Sequence, residues 1–403
     1  MKMEWYIFLL FNKIYQSPFL LSIYKIYKCL LRWTTNTTEI YRICHRVVND
    51  HRDNLLQQQH TFTISDSECD NYSDSNNSDE KIGEFNDNTP LLKHSEKSTL
   101  PFVIPPTIVF QIDRSILYSS QLTLERRQLE SKDCLIDDLT QSILTKKRFP
   151  GTLSSPEAQV LKACLVQIAA TYQLTREINE RAHTKFDGTN QLHEQKLLKL
   201  WNSLMPDVEL EARLTRQWGE IGFQGNDPAS DFRGMGMQGL DDLVYYSKTY
   251  PTSCQRTFHS SQHPVSWYPF AIVGINISQF TIQILRTRQL QYVLFRYGIS
   301  RDTYQDFYCF LYHTFNDYWN SHEDPRLTVM EFEETFKKFK RMIHGKITTQ
   351  EVVPLGEYLK QQQEETWDQE ENGLKTSSLF DNQKTSSSNS NSHLHHRIPH
   401  SRS

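Results

Sequence analysis

From Leu135 to Ile343 the apolar residues recur at three- and four-residue steps, and no alternating strand pattern competes with that spacing. A period near 3.6 places such residues on one helical face, whereas a half-buried strand needs a period of two. Leu135, Ile136, Leu139 and Ile143 share a face, and Pro150-Gly151 stops that helix. Ser155-Pro156 then supplies an N-cap followed by proline at the first helical position, ahead of Val160, Leu161, Cys164, Leu165, Ile168 and Tyr172. Leu197, Leu198 and Trp201 mark a third helix ending before Pro206, and Leu240, Leu243 and Val244 a fourth. Pro269 opens an apolar stretch through Ile272, Val273, Ile277 and Phe280, and Phe307, Phe310, Leu311 and Phe315 lead to Trp319. The last helix carries Phe332, Phe336, Phe339 and Ile343, with Glu333–Lys337 and Glu334–Lys338 as outward pairs. The fold class is all-α. Aromatic stripes backed by charged faces favour core packing over a ligand pocket.

The flanks differ in kind. Only 37% of the 403 residues are hydrophobic, which suits one folded domain with unstructured segments better than two domains. Residues 49–118 contain a glutamine run, the acidic tract from Ser65 to Glu80, and Pro101, Pro105 and Pro106; they read as a disordered linker. Residues 119–345 form the single helical domain and 346–403 a polar, disordered tail that includes His393, His395 and His396. Over residues 1–48, the stretch Trp5 to Trp33 is apolar but broken by Asn12, Lys13, Pro18, Lys25 and Lys28. It reads as a basic interfacial membrane helix, as a helix docked on the domain, or, third, as a span or signal.

Charge and cysteine content narrow the partners. A net charge of −4 offers no general attraction to nucleic acid. Seven scattered cysteines without a CxxC pair indicate reduced thiols and a cytoplasmic setting. Cys254, His259 and His263 lie close in sequence, but no second cysteine completes a usual zinc set, and no metal or cofactor is expected.

Six of the fourteen glycines fall within 21 residues, from Gly219 to Gly239. Glycine enters positive φ without steric penalty, so the cluster marks special backbone geometry, and it surrounds Arg233. Gly234-Met-Gly236-Met-Gln-Gly239 formally spells GxGxxG, yet no strand precedes it and no βαβ pattern follows, which excludes a dinucleotide fold. Asp227 can cap a helix opened by Pro228, or Ser230 and Asp231 can cap the helix bearing Leu240. Phe223, Phe232 and Met235 can anchor the loop, while Gly234 and Gly236 leave space beside Arg233 for a partner's backbone. Arg233 is then either presented to an anion or bridged to Asp227 or Asp231 to hold the loop.

The string formed by Trp218, Ile221-Gly-Phe-Gln-Gly225, Asp227-Pro228, Ser230-Asp-Phe-Arg-Gly234 and Gly236 resembles the signature of the ELMO domain. Leu197-Leu-Lys-Leu-Trp201, Tyr268 to Ile277 and Met330-Glu-Phe332 extend the likeness over roughly Gln121 to Ile343. The apolar N-terminal segment and Glu39 to Cys44 are similar to the start of the short ELMO domain-containing proteins. The resemblance implies GTPase activation toward Arf-like and Arf GTPases in their GTP form, with hydrolysis occurring in the partner. It places the essential arginine at Arg233, with Trp218, Phe223, Gln224, Asp227, Asp231, Gly234 and Gly236 orienting the loop or touching the GTPase. Such GTPases work on membranes, which would suit a peripheral contact through Trp5–Trp33. A non-catalytic GTPase-binding scaffold is the alternative. Two departures stand out: Ser230 where threonine is common, and the acidic insertion before Phe102.

Overall fold

The computed structural model describes residues 10, 13–15, 17–65 and 103–364, without the side chains of 54–65. The residues before Leu10, most of the acidic tract, the tail beyond 364 and its histidines lie outside the described residues. Thirteen named α-helices follow in order: α1 (Pro18–Thr35), α2 (Glu39–Ser65), α3 (Pro106–Leu117), α4 (Thr123–Glu130), α5 (Ile136–Lys147), α6 (Pro156–His183) and α7 (Gln191–Leu204), then α8 (Gly236–Thr249), α9 (Pro251–Ser261), α10 (Phe270–Arg286), α11 (Gln291–Tyr297), α12 (Arg301–Asn320) and α13 (Phe332–Thr349). A last helical stretch covers 355–364. No strand forms among the described residues, as the helical periodicity requires.

Two apolar clusters share one long helix. The first joins Ile40, Cys44 and Val47 of α2, Val109 and Ile112 of α3, Leu139 and Ile143 of α5, and the α6 residues Val160 to Ile168. The second takes Leu174 and Ile178 farther along α6 and adds the glycine-rich segment and α7 to α13. At its centre lies α8, which packs on α6, α7, α10 and α12 and is buried along most of its length. The stripe Phe307, Phe310, Phe315 and Trp319 sits wholly in this core.

The ordered region is wider than the composition predicts. Both ends of the segment read as linker are helical: α2 runs to Ser65, and α3 buries Ile108, Val109, Phe110, Ile112 and Ile116. Pro105 and Pro106, taken as linker signals, instead open α3, where proline's fixed φ and missing N–H cost nothing. Asp113 of α3 is latched to Arg288 at 2.5 Å, and Arg288 stacks on Tyr172 with 4.0 Å to the ring centroid. At the other end α13 stops on Gln350 in the left-handed region, and Val352, Val353 and Leu355 fold back into the interior.

α1 is docked by one face only. Ser17 caps its N-terminus, and Lys28 meets Glu39 at 2.8 Å. Tyr24 donates to Glu39, and Tyr15 stacks on Tyr118 with centroids 5.0 Å apart. The helix has no buried residue; Phe19, Ile23, Ile26, Leu30 and Trp33 point outward and are exposed. No helix among the described residues is long and apolar enough to cross a membrane.

Adjacent carboxylates on α8 have opposite fates. Asp241 receives Arg181 at 2.6 Å, Arg301 at 2.9 Å and Lys196 at 2.5 Å. Burial would raise its pKa, but Arg181 and Lys196 outweigh burial and hold it below the ordinary value. Asp242 forms no ion pair among the described residues; Gln238 donates to it at 2.6 Å and Ser278 at 2.8 Å. Burial pushes Asp242 up to about 7 against the pull of those donors. An unfolded aspartate ionises near pH 3.9, so between there and 7 the native state holds a proton that the unfolded chain has lost. Asp242 therefore costs stability as pH rises through that window, by about 1 kcal/mol between pH 6 and 8. Thermal unfolding of wild type and Asp242→Asn across pH 6–8 should show the wild-type slope flattened in the variant; parallel slopes would refute this assignment.

Candidate functional site

The glycine-rich segment is a pair of 3-10 turns hung on aromatic anchors. Thr215 caps the first turn, Arg216–Ile221, by accepting from the Gln217 N–H at 3.3 Å. Trp218 within it is fully buried, packs edge-on against Trp201 at 5.4 Å and donates its indole N–H to the Arg213 carbonyl at 2.9 Å. Gly222 ends the turn at φ +86°. Asp227 caps the second turn, Pro228–Gly234, accepting from the Ala229 N–H at 3.0 Å. Of the two capping schemes the sequence allows, this is the one formed; α8 starts without a side-chain cap. Phe223 and Phe232 meet at 5.4 Å, and Phe186 stacks on Phe232 at 5.7 Å. Trp218 is fully buried and Phe223 nearly so, and both support the loop from inside.

Two glycines let neighbouring backbone press against this frame. A Cβ at Gly222 would lie 2.3 Å from the Phe270 nitrogen, at the start of α10. A Cβ at Gly236 would lie 2.3 Å from the Thr184 carbonyl oxygen, which accepts from the Met237 N–H at 2.8 Å. The space at Gly236 is therefore filled by this chain's own α6 terminus, and not held open for a partner as the sequence suggested. Gly234 differs: it is exposed, and nothing lies within 4 Å of an added Cβ.

The acids around Arg233 are engaged elsewhere. Arg213 pairs with Asp227 at 3.0 Å and also with Glu194. Asp231 accepts the Gln224 N–H at 2.7 Å; burial raises its pKa, eased by that hydrogen bond and by Arg233. Gln224 itself is exposed. Arg233 is exposed too, and among the described residues it makes no hydrogen bond and no ion pair. The loop-bridging role that sequence reasoning left open falls to Arg213, which has no local pattern to announce it.

Arg233 lines two recesses. The smaller, about 220 Å³, is shared with Gln224, Asp231, Gly234 and Met235. The larger, about 1150 Å³, is walled by the end of α6, the second turn, α10 and Lys340 of α13. A second constellation, Ser253–His313–Asp317, has distances of 2.7 Å and 3.4 Å reminiscent of a hydrolase. Ser253 is buried, however, and shares its hydroxyl with Tyr246 at 2.8 Å, so this is a core network. No group of three or more potential metal ligands clusters among the described residues.

Known proteins place this geometry in a lineage. The sequence model of the ELMO/CED-12 family matches residues 176–336, which include both turns. ELMO domain-containing protein 2 of Homo sapiens is 35% identical over 240 residues, covering 58% of this chain and 80% of that protein. ELMO domain-containing protein 1 of Mus musculus is 34% identical over 228 residues, 52% of this chain and 69% of the relative. ELMO domain-containing protein B of Dictyostelium discoideum is 32% identical over 237 residues, 58% and 81% respectively. With identities of this size over most of each relative's length, this chain belongs to the ELMO/CED-12 family.

Proposed function

We propose that this protein is a GTPase-activating protein for Arf-like and Arf GTPases, acting through Arg233 in trans. One observation carries the reading: Asp227 and Asp231, the carboxylates flanking Arg233, are taken by Arg213 and by backbone N–H groups, which leaves Arg233 exposed and without a hydrogen bond or ion pair among the described residues. A guanidinium presented this way offers a planar, permanently charged fork to the oxygens of a transferring phosphoryl group. Charge develops there in the transition state, and an added arginine is worth about 10³–10⁵-fold in hydrolysis rate. The partner brings its own phosphate loop, Mg²⁺ and water-orienting residue. Gln224, exposed beside the smaller recess, and Gly234 complete the contact, while Asp227 and Asp231 hold the loop. Single-turnover hydrolysis by a panel of GTP-loaded Arf and Arf-like GTPases should accelerate in the presence of this chain. Binding without acceleration on every member would transfer the assignment to a non-catalytic GTPase-binding module.

The same reading gives α1 a role at the membrane surface. Phe19, Ile23, Ile26, Leu30 and Trp33 fall within roughly 80° of arc at 100° per residue, all exposed, on a helix carrying three cations and no carboxylate. That is the pattern of a helix lying in an anionic lipid interface. Ile26→Ser with Leu30→Ser should lower sedimentation with phosphatidylserine-containing vesicles about tenfold or more, with the unfolding temperature unchanged. Equal sedimentation of the variant and wild type would dismiss the membrane role.

A further inference from the structure

The large cleft beside Arg233 is charged in one sense only. Lys185 just beyond α6, Arg233 in the second turn, Arg286 at the end of α10 and Lys340 in mid-α13 all line it, and no carboxylate does. None of the four forms an ion pair among the described residues. In a chain with net charge −4, four separate elements thus converge on an unneutralised cationic wall. Complementing the carbonyl ends of helices would account for Lys185 and Arg286, but not for Lys340 and Arg233, which stand at no α-helix terminus. Lys340 is held in place over the Phe336 ring at 4.7 Å.

The remaining lining favours a protein segment over a small polyanion. Asn179, Asn276, Gln279 and Gln283 offer amide donors and acceptors suited to a peptide backbone, and Phe186, Phe280 and Ile282 supply apolar contact. A cleft of about 1150 Å³ also exceeds the ordinary range for small ligands, roughly 300–1,000 Å³. We infer that this cleft docks an acidic, partly apolar segment of the GTPase, with Lys185, Arg286 and Lys340 as its electrostatic grip. The inference rests on the activating role proposed above and assigns it a second, separable part: Arg233 acts on the phosphoryl group, and the cleft cations set capture and orientation.

Charges at such a rim act on association rate and its salt dependence more than on the bound state. The double variant Arg286→Glu, Lys185→Glu removes two exposed cations that make no side-chain hydrogen bond or ion pair among the described residues. Against the GTPase that wild type accelerates most, it should raise KM about tenfold or more while retaining kcat, and flatten the fall in kcat/KM between 50 and 300 mM salt. Arg233→Lys should do the reverse, losing kcat and keeping KM. An unchanged KM with an unchanged unfolding temperature overturns the docking role. If wild type accelerates no GTPase, the activating role fails, and direct binding of the GTP-loaded panel still tests the cleft: equal affinity for variant and wild type overturns it. Inositol hexakisphosphate serves as the competing probe; its loss by the variant with GTPase KM unaltered would make this a small-polyanion site and overturn the proposal.

Discussion

Arg233→Lys should abolish acceleration of GTP hydrolysis, by about 10³-fold or more, and leave the unfolding temperature where it is. Both halves follow from the same fact. Arg233 bonds to nothing among the described residues, so its loss takes no contact from the fold. Lysine keeps the charge but not the planar fork, and a point charge cannot bind two phosphate oxygens side by side. Circular dichroism melts with single-turnover hydrolysis on one preparation decide the matter. Retained acceleration would return Arg233 to a passive surface position. A large drop in melting temperature would instead mean that it supports the loop. Arg213→Lys provides the contrast: it weakens the Asp227 and Glu194 pairs, and so should lower stability and acceleration together.

Gly236→Ala should destabilise the protein by about 3 kcal/mol or more, a sizeable share of the roughly 5–15 kcal/mol that holds a domain together. The φ of +48° is left-handed, and the methyl would sit 2.3 Å from the Thr184 oxygen and 2.6 Å from the Ala182 oxygen. Neither neighbour is a flexible side chain that could swing aside. Either the α6 terminus must retreat or the start of α8 must, and both carry core residues. Gly222→Ala faces the same conflict with the first residues of α10. Gly234→Ala meets open space at an ordinary φ and should stay within roughly 0.5 kcal/mol of wild type. On the proposed activating role, its expected defect is in GTPase acceleration, because the added methyl would fill the open space beside Arg233. Chemical denaturation of the three variants separates the two kinds of glycine; comparable losses at all three would contradict the distinction.

What the chain discloses before folding follows from range. Helical stripes are local, so α6, α8, α10, α12 and α13 were legible from spacing, and Phe307, Phe310 and Trp319 lie where their periodicity puts them. α3 was passed over although Ile108, Ile112 and Ile116 recur at helical spacing, because the prolines at its start and the polar tract before them read as linker. The glycine cluster announced the loop and singled out Arg233. It could not say what Gly236 touches, since the answer is a carbonyl some fifty residues earlier in the chain. Lys185, Arg286 and Lys340 look like any solvated cations in sequence, and only packing brings them to one cleft. Arg213 is legible for no reason but its fold-level partners, Glu194 and Asp227.

The helix α6 has a practical consequence for anyone dissecting this protein. The stretch matched to the family begins at residue 176, whereas α6 runs from Pro156 to His183. A fragment cut at the family boundary would sever that helix 20 residues in, remove Val160 to Ile168, and expose Phe295 of α11, which shares their cluster. Trimmed at this N-terminal boundary alone, the fragment would carry Arg233 and the cleft walls from Asn179 to Lys340, yet lack the scaffolding that keeps the Ala182 and Thr184 carbonyls against the loop. The cooperative unit is thus larger than the hereditary one, and inactivity in a trimmed fragment would testify to a broken strut.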